Sequence, residues 1–326
     1  MRPPAFWAAG PDHPAARGLA PFAALYGALV ARRMDRPGAP AGCPVLCLGN
    51  FTLGGAGKTP AALAVAALLA ELGRRPAFLS RGYGGRNAGP VRVDPDRHAA
   101  AEVGDEPLLL ARRAPAIVSR DRPAGAALCR QLGADVIVMD DGLQNPSLVK
   151  DLSFAVVDGP AGLGNGLPFP AGPLRAPLAR QWPHVGGLIV IGDGAGGDAV
   201  ARTAERRGLP VHRARLVREA DDLAGRRCLA FAGIGRPEKF FATLATAGAV
   251  IAGTRPFPDH HPYRPGELAA LAESARRLGA DLVTTEKDAV RLPPAFSADV
   301  RVLRVRLVLD DADALRRQIR DALRAP

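Results

Sequence analysis

The amino-acid sequence predicts an α/β protein in which helices cover a mainly parallel sheet, followed by a second, smaller α/β unit. Two observations lead to this class. Through the middle of the 326-residue chain, short apolar segments alternate with segments of helical periodicity, which is typical of a parallel sheet between helices. After VHRARLV (211–217) the alternation begins again, which indicates a second unit. The length suffices for one large or two medium domains.

The first unit begins with a strand, a glycine-rich turn and a helix. We predict a buried strand over PVLCLG (44–49) and a helix over TPAALAVAALLAELG (59–73). Pro60 fits this helix because proline is favoured in the first helical turn. Further strands are predicted at 76–80, 115–119, 135–141, 154–158 and 187–193. The segment 159–177 is rich in Gly and Pro and too long for a simple turn, so it is either a functional loop or disordered.

The second unit, like the first, is predicted to alternate short strands with helices. Strands are predicted at 228–235, 249–257, 281–285 and 300–309, and helices near 236–247, 265–278 and 312–324. We therefore predict a first domain over 1–208, a linker over 209–225 and a smaller domain over 226–326.

The net charge of the chain favours anionic ligands. Lysine and arginine number 43 against 32 acidic residues, a formal charge of +11. Biased codon usage can produce such an arginine-rich composition, and no basic run is interleaved with aromatic residues, so we expect no nucleic-acid partner. The four cysteines have neither CxxC spacing nor histidine partners at zinc-site intervals, which fits a reducing cytoplasm.

An amphipathic helix is predicted near the N-terminus, over 19–33. Its apolar residues recur at helical spacing and are Phe22, Leu25, Tyr26, Leu29 and Val30. The uncharged stretch is shorter than the roughly 20 residues that a membrane-spanning helix needs. Two interpretations stay open: the helix packs on the protein's own core, or it lies in the surface of a membrane with flanking arginines on anionic lipid.

The segment GNFTLGGAGKTP (49–60) is similar to a phosphate-binding loop, with one departure. The pattern G-x-x-x-x-G-K-[ST] requires a glycine at position 52, where this chain has Thr52. The three inner glycines are Gly54, Gly55 and Gly57. They would let backbone N–H groups close on phosphate oxygens at a helix N-terminus, while Lys58 reaches the β- and γ-phosphates and Thr59 binds Mg²⁺. The alternative is a purely structural strand-to-helix turn.

A second motif supplies the acidic side of such a site. VIVMDD (136–141) is a buried strand that ends in two carboxylates, where open sheets bind their ligands. Asp140 or Asp141 would hold Mg²⁺ directly or through water. The alternative is that one aspartate only caps the turn that begins at Gly142.

Eight motifs in a fixed order then carry a specific resemblance. They are GNFTLGGAGKTP (49–60), SRGYGG (80–85), VGDEP (103–107), DDGLQNP (140–146), LPFPAGPLR (167–175), GIGRPEKFF (233–241), FPDHHPY (257–263) and TTEKDAVRL (284–292). Together they resemble the tetraacyldisaccharide 4′-kinase family, the lipid A 4′-kinases. The resemblance implies a P-loop-containing three-layer α/β/α domain with a second, smaller α/β/α domain and the site in the cleft between them. It implies ATP and Mg²⁺ as cofactors and transfer of phosphate to the 4′-hydroxyl of an acylated glucosamine disaccharide 1-phosphate.

The resemblance also implies roles for individual residues. For catalysis they are Asp105 as the base, His260 as its partner, and Lys58. The ATP-binding residues are Thr52, Leu53, Gly54, Gly55, Ala56, Gly57, Lys58 and Thr59, and the metal ligands are Thr59, Asp140 and Asp141. The substrate-binding residues are Asn50, Arg81, Tyr83, Gln144 and Arg175. Without the resemblance, Asp105 would be interpreted as a helix cap and His260 as an ordinary loop residue.

Two positions depart from the family pattern, and one rival function stays open. Ala176 stands where the family usually has glutamate, and Asn145 where many members have histidine. The rival is a variant P-loop regulatory ATPase at the membrane surface. Leu53 argues against this rival because that class has a lysine before its paired glycines.

An acylated substrate favours the membrane-surface interpretation of 19–33. We therefore expect a monomer bound peripherally at the cytoplasmic face of the bacterial inner membrane.

Overall fold

The computed structural model describes residues 4–219 and 222–324. The strands in this part of the chain are β1 (Val45–Gly49), β2 (Pro76–Ser80), β3 (Val91–Arg92), β4 (Ala116–Val118), β5 (Val136–Asp140), β6 (Leu152–Asp158), β7 (Gly187–Ile191), β8 (Val211–Arg218), β9 (Arg227–Ala232), β10 (Val250–Pro256), β11 (Asp281–Thr285), β12 (Val300–Leu303) and β13 (Val305–Leu309). The helices are α1 (Pro14–Met34), α2 (Lys58–Glu71), α3 (Ala100–Val103), α4 (Asp105–Ala111), α5 (Arg122–Gln131), α6 (Leu178–Gln181), α7 (Ala195–Glu205), α8 (Pro237–Thr246), α9 (Pro265–Leu278), α10 (Glu286–Ala289), α11 (Pro294–Ser297) and α12 (Ala312–Arg324). Short 3₁₀ turns form at Ala5–Trp7 and Trp182–His184.

The larger of the two sheets has the strand order β13-β8-β7-β6-β1-β5-β2-β4-β3. Neighbours from β8 to β4 are parallel, and only the two edge strands pair antiparallel among the residues described. Every residue of β1, β5, β6 and β7 is buried, as in a parallel sheet that is covered on both faces. The α/β fold class predicted from the alternating pattern is therefore confirmed.

The position of β1 in this sheet determines where ligands can bind. After β1 the chain continues to β2 on one side of it, and later returns to β6 on the other side. Such a reversal of strand order opens a crevice at the carboxyl ends of the strands. The register pairs Leu48 of β1 with Asp140 of β5, so the glycine-rich loop and the two aspartates emerge side by side.

The smaller sheet has the order β10-β9-β11-β12, with all neighbours parallel. Its two faces carry separate apolar clusters. Leu268 and Leu271 of α9 pack in one cluster with Phe231, and Phe240 and Leu244 of α8 pack in the other. Helices on both faces make this unit a three-layer arrangement as well.

The chain returns to the large sheet after the small one, which differs from the predicted division. The single strand expected at 300–309 is two strands in different sheets: β12 pairs with β11, whereas β13 pairs antiparallel with β8. Leu315 and Ile319 of α12 are fully buried in the core of the large sheet. The predicted linker 209–225 contains β8, a strand of the large sheet, and its residues 220 and 221 lie outside the described part, as do 1–3 and 325–326.

Apolar periodicity cannot reveal this return. The segment VRVLRVRLVL (300–309) consists of Val, Leu and Arg throughout, and Arg304 between the two strands resembles Arg301 and Arg306 within them. A period of two residues identifies a strand but does not say which sheet it joins. The small unit thus lies between β8 and β13, and 305–324 belong to the large unit.

Helix α1 docks through small residues and leaves large apolar ones outside. Its buried residues are Ala16, Ala23, Gly27, Ala31 and Met34. Phe22, Leu25 and Leu29 are 65%, 63% and 62% exposed, whereas Tyr26 and Val30 are half-buried. The predicted apolar stripe therefore divides into an exposed part and a part that contacts the protein. None of the helices described is long and apolar enough to cross a bilayer.

Candidate active site

The glycine-rich loop joins β1 to α2 at the carboxyl end of the large sheet. Gly54 and Gly57 have φ values of +98° and +86°, a region where residues with a Cβ atom are strained. A Cβ atom on Gly57 would also lie 2.6 Å from Cδ1 of Ile191. The loop ends at Lys58, the first residue of α2, where backbone N–H groups have no acceptor within the helix. This terminus is suited to binding an anion such as phosphate.

The Lys58 ammonium is held between two polar side chains. Its Nζ donates to Oδ1 of Asn50 at 3.4 Å and lies 3.7 Å from Oδ1 of Asp141. Asn50 is fully buried, and its Nδ2 donates to the carbonyl oxygen of Gly54 at 3.3 Å. Asn50, predicted to bind substrate, therefore contacts both the loop backbone and the lysine.

The Gly- and Pro-rich segment 159–177 runs alongside this loop. The backbone N–H of Leu53 donates to the carbonyl oxygen of Pro173 at 2.7 Å, and that of Arg175 donates to Phe51 at 2.8 Å. The segment is thus an ordered wall of the site, and its position explains why it carries a motif.

Arg175 connects this wall to the acidic end of β5. Its Nε donates to the carbonyl oxygen of Thr52 at 2.9 Å. Both terminal nitrogens donate to Oδ2 of Asp141 at 3.1 Å. Arg175, predicted to bind substrate, therefore also fixes the orientation of a predicted metal ligand.

The two carboxylates at the end of β5 have different surroundings. Asp140 is 1% exposed, and neither of its carboxylate oxygens has a hydrogen-bond partner in the described chain. Burial raises the pKa of Asp140 to about 7, and Glu106 acts in the same direction against Lys58. Burial also disfavours the charge of Asp141, but Lys58 and Arg175 outweigh it and hold its pKa below the ordinary value.

Asp105 and His260 meet although 155 positions separate them. Oδ2 of Asp105 lies 2.9 Å from Nδ1 of His260, and its Oδ1 accepts from the backbone N–H of Glu106 at 2.9 Å. Asp105 is the first residue of α4 and is buried, whereas His260 lies in the loop after β10 with a φ of +58°. Such backbone strain outside glycine is concentrated at functional sites.

The charge of Asp105 is stabilised by the groups around it. Burial raises its pKa, but the hydrogen bond from His260 and the cations Lys287 and Arg291 outweigh burial and hold the pKa below its ordinary value. Arg291 Nε lies 3.5 Å from Oδ2 of Asp105. The carboxylate is therefore ionised near neutral pH.

The remaining predicted residues lie around the same cleft. Tyr83 packs edge-on against the ring of His260, with 5.3 Å between the ring centroids. Gln144 donates from Nε2 to the carbonyl oxygen of Asn50 and to Oε1 of Gln181, both at 2.8 Å. The residues that line one continuous cleft include Thr52, Leu53, Gly54, Gly55, Ala56, Gly57, Lys58, Thr59, Arg81, Tyr83, Asp141, Gln144, Arg175 and His260. Asn50, Asp105 and Asp140 are buried directly behind this lining.

Sequence reasoning did not single out several charged residues of this site. Lys287 contacts His260 and Glu106, with Nζ 3.2 Å from Nε2 and 3.3 Å from Oε1. Arg122, at the start of α5, is 2% exposed and lines the cleft. Glu106 and Lys287 stand within the motifs GDEP and TTEKDAVRL, so the motifs marked these segments as important. The motifs did not show which of their charged residues faces the cleft.

Three side chains here also have the donor spacing of a metal site. Asp105, Glu106 and His260 offer ligand atoms within 4.8 Å of one another. The ammonium of Lys287 lies within 3.3 Å of two of these residues. A cation already occupies this position, so the orphaned carboxylate of Asp140 is the better candidate for a metal.

The two residues that depart from the family pattern, Ala176 and Asn145, each take part in a local hydrogen bond. Ala176 is fully buried, and its carbonyl oxygen accepts from Nε2 of Gln181 at 2.7 Å. Oδ1 of Asn145 accepts from the backbone N–H of Ser147 at 2.9 Å, which stabilises the turn after the aspartates.

Comparisons with known proteins show which family the chain belongs to. The sequence model of the family described as Tetraacyldisaccharide-1-P 4'-kinase matches residues 15–324. A tetraacyldisaccharide 4'-kinase of Methylobacterium radiotolerans is 89% identical over 326 residues, which cover 100% of both chains. One of Methylorubrum extorquens strain PA1 is 70% identical over 320 residues, 98% of each chain.

A solved structure has the same fold. LpxK from Aquifex aeolicus, crystallised in complex with ATP, superposes with a TM-score of 0.73 and 25% sequence identity. The match covers 94% of this chain and 99% of that chain. The resemblance inferred from the motifs is confirmed, and this chain belongs to the tetraacyldisaccharide-1-P 4'-kinase family.

Proposed function

We propose that this protein transfers the γ-phosphoryl group of ATP to the 4′-hydroxyl of a tetraacylated glucosamine disaccharide 1-phosphate. The observation that carries the proposal is that a phosphate-binding loop and a candidate base face the same cleft from opposite sides. A glycine-rich loop and Lys58 lie on one side, and the ionised Asp105 with its histidine partner lies on the other. Phosphoryl transfer needs both a phosphate cradle and a base for the incoming hydroxyl.

The loop and its neighbours would bind the nucleotide. Backbone N–H groups of 52–59 and the Lys58 ammonium are suited to phosphate oxygens. The surroundings of Asp140 fit Mg²⁺, because two buried carboxylate oxygens without partners are hard ligands of the kind this ion prefers. Thr59, Asp140 and Asp141 would hold it, and a bound Mg²⁺ would neutralise charge on the phosphate oxygens.

Asp105 would act as the general base. The sugar hydroxyl gives its proton to the Asp105 carboxylate as its oxygen bonds to the γ-phosphorus. The bond between that phosphorus and the bridging oxygen breaks, and ADP leaves with the electron pair. The depressed pKa of Asp105 keeps the carboxylate ready to accept a proton at neutral pH. His260 holds the carboxylate in place through its Nδ1.

The disaccharide would bind between these two sides of the cleft. Arg81 and Tyr83 lie in the loop after β2, exposed at the mouth of the cleft beside His260. A guanidinium and an aromatic face are suited to a phosphate and a sugar ring. Gln144 and Arg175 border the phosphate loop and would contact the sugar that accepts the phosphate.

The acyl chains of such a substrate require a membrane, and α1 is the element suited to reach one. Its exposed Phe22, Leu25 and Leu29 form an apolar strip. Tyr26 contacts Phe169 of the 159–177 segment, with 5.4 Å between ring centroids, so the helix adjoins a wall of the site. We therefore propose peripheral binding at the cytoplasmic face of the bacterial inner membrane, as a monomer, with exposed arginines on anionic lipid.

The direct test uses γ-³²P-labelled ATP, Mg²⁺ and the disaccharide 1-phosphate in mixed micelles. We expect label in a bisphosphorylated lipid, and no label when the acceptor lacks its 4′-hydroxyl. Release of inorganic phosphate at the same rate with and without acceptor would instead identify the rival, a regulatory ATPase.

A further inference from the structure

A lysine of the small unit reaches into the proposed base pair. Lys287 is the second residue of α10, and its side chain is 23% exposed. Nζ lies 3.2 Å from Nε2 of His260, 3.3 Å from Oε1 of Glu106 and 3.8 Å from Oδ1 of Asp259. The histidine ring is therefore contacted through both nitrogens, by Asp105 on one side and by Lys287 on the other.

The state of Lys287 follows from its neighbours. Burial lowers the pKa of Lys287, but the carboxylates of Glu106, Asp105 and Asp259 outweigh burial and hold the pKa above its ordinary value. The side chain is therefore an ammonium, which has three N–H donors and no acceptor.

The hydrogen-bond roles of His260 are then fixed. Because an ammonium can only donate, Nε2 must accept with its lone pair. The single proton of the neutral ring is then on Nδ1, which donates to Oδ2 of Asp105 at 2.9 Å. A second proton on Nε2 would place two donors and two positive charges against each other at 3.2 Å.

We propose that Lys287 is a positioning residue that locks His260 as the neutral Nδ1–H tautomer and so keeps Asp105 an ionised base. This inference rests on the proposed function of Asp105 as the proton acceptor. The other charged groups at this point are Glu106 and Asp259, which hold the ammonium, and Arg291, which contacts Asp105 on its remaining side. Oδ1 of Asp259 also lies 3.8 Å from Nε2 of His260, farther than the Lys287 ammonium at 3.2 Å. The exposed ring of Tyr83 covers the imidazole from the cleft.

A purely structural role is the competing explanation, since Lys287 also links the small unit to Glu106 of α4. The tautomer of His260 distinguishes the two, because a structural link has no influence on which ring nitrogen carries the proton. ¹⁵N spectra of protein labelled at its six histidines report the tautomer without substrate, and His260→Gln identifies the signal.

We expect the Nδ1–H tautomer in the unsubstituted protein and in Lys287→Arg, which keeps a donor near Nε2. In Lys287→Met the Asp105–His260 pair takes up a second proton more easily, so we expect signals of a cationic ring, or of the Nε2–H form with Asp105 protonated. An Nε2–H tautomer in the unsubstituted protein would overturn the proposal, even if Lys287→Met failed to fold. Identical His260 signals in the unsubstituted protein and in a folded Lys287→Met would overturn it as well.

The pH dependence of kcat gives a second readout. Removal of a cation near Asp105 raises the pH at which the carboxylate loses its proton. The acid limb of the kcat–pH profile, where kcat falls as the pH is lowered, should therefore move to higher pH by about one unit or more in Lys287→Met. Activity below the limb then falls about tenfold for each unit, while the KM for ATP stays near its original value. Lys287→Arg should restore the original limb, and a limb that stays in place in Lys287→Met would contradict the proposal.

Lys239→Met is the matched control for the loss of a contact between units. Lys239 also belongs to the small unit and contacts a carboxylate of the large sheet, with Nζ 2.7 Å from Oδ2 of Asp158. We expect its acid limb and its His260 signal to match the unsubstituted protein. If the assay detects no kinase activity at all, the proposed function is wrong, but the ¹⁵N spectra of His260 still test whether Lys287 fixes its tautomer.

Discussion

The Lys58 side chain is 10% exposed, and its polar contacts are made by the ammonium group, so methionine keeps the packing of the side chain and removes only the charge. Its ammonium touches Asn50 and Asp141, and α2 is anchored by buried residues further along the helix. Lys58→Met should therefore lower kcat by about 100- to 1,000-fold, the usual loss when one preorganised charge is removed from a transition state. The melting temperature should change little. Turnover close to that of the unsubstituted enzyme would exclude Lys58 from the phosphate site.

Asp140 should destabilise the protein until a cation binds. A buried carboxylate without hydrogen bonds is costly when charged, so Asp140→Asn should make the metal-free protein more stable at pH 8 and abolish kinase activity. Mg²⁺ with a non-hydrolysable ATP analogue should raise the melting temperature of the unsubstituted protein more than that of the variant. Equal stability of the two proteins in EDTA at pH 8 would contradict this prediction.

The sign of the pH effect at Asp140 can be stated. Its pKa is raised from 3.8 to about 7 on folding, so between these values the folded state binds more protons than the unfolded state. The stability of the unsubstituted protein thus falls as the pH rises through this window, by about 1.4 kcal/mol per unit at most. The advantage of Asp140→Asn should grow from pH 4 to 7 and vanish below, as measured by urea unfolding in EDTA.

Helix α1 has a docked face and an exposed face, and we expect only the exposed face to bind membranes. The docked face consists of small residues, whereas Leu25 and Leu29 point outward. Leu25→Gln with Leu29→Gln should change the free energy of unfolding by less than about 0.5 kcal/mol per substitution, because exposed sites contribute little. Binding to vesicles that contain anionic lipid should fall at least tenfold, since two buried apolar side chains are lost.

A matched control shows whether position matters. Leu216 is also exposed but belongs to β8 of the large sheet and not to α1, so Leu216→Gln should leave vesicle binding unchanged. Undiminished vesicle binding by the α1 variant would contradict the membrane-surface interpretation. These substitutions change only the exposed face of α1, whereas deletion of the helix would also expose the surface under its docked face.

Elements made from local patterns were predictable from the sequence, and contacts between distant elements were not. The strand, glycine-rich loop and helix around Lys58 are consecutive, so periodicity and turn chemistry identify them together. Nothing in the residues themselves brings Asp105 to His260; only the family resemblance paired them. Lys287 was missed because a surface lysine and a site lysine have the same local pattern.

The large and small units of the whole molecule should unfold as separate bodies, and β13 with α12 should unfold with the large one. Both tryptophans, Trp7 and Trp182, are in the large unit, so their fluorescence reports on it alone. Ile319→Ala removes a fully buried side chain and should lower the stability of the tryptophan transition by about 2–5 kcal/mol.

Leu271→Ala, in the core of the small unit, is the counterpart. It should leave the tryptophan transition in place and lower the midpoint of a far-UV circular dichroism transition. If both substitutions moved the tryptophan transition equally, the two units would unfold as one, and the division would be wrong. If Ile319→Ala left the tryptophan transition unchanged, α12 would not stabilise the large unit.

The position of the small unit between β8 and β13 also has a consequence for synthesis on the ribosome. The strand that completes the large sheet is made only after the whole small unit has emerged. During that interval β8 has an unpaired edge, and the apolar surface that α12 later covers is open to water. An open strand edge beside exposed apolar surface is prone to aggregate. The nascent chain therefore passes through a stage at which chaperones have a defined surface to bind, and that stage ends when β13 pairs with β8.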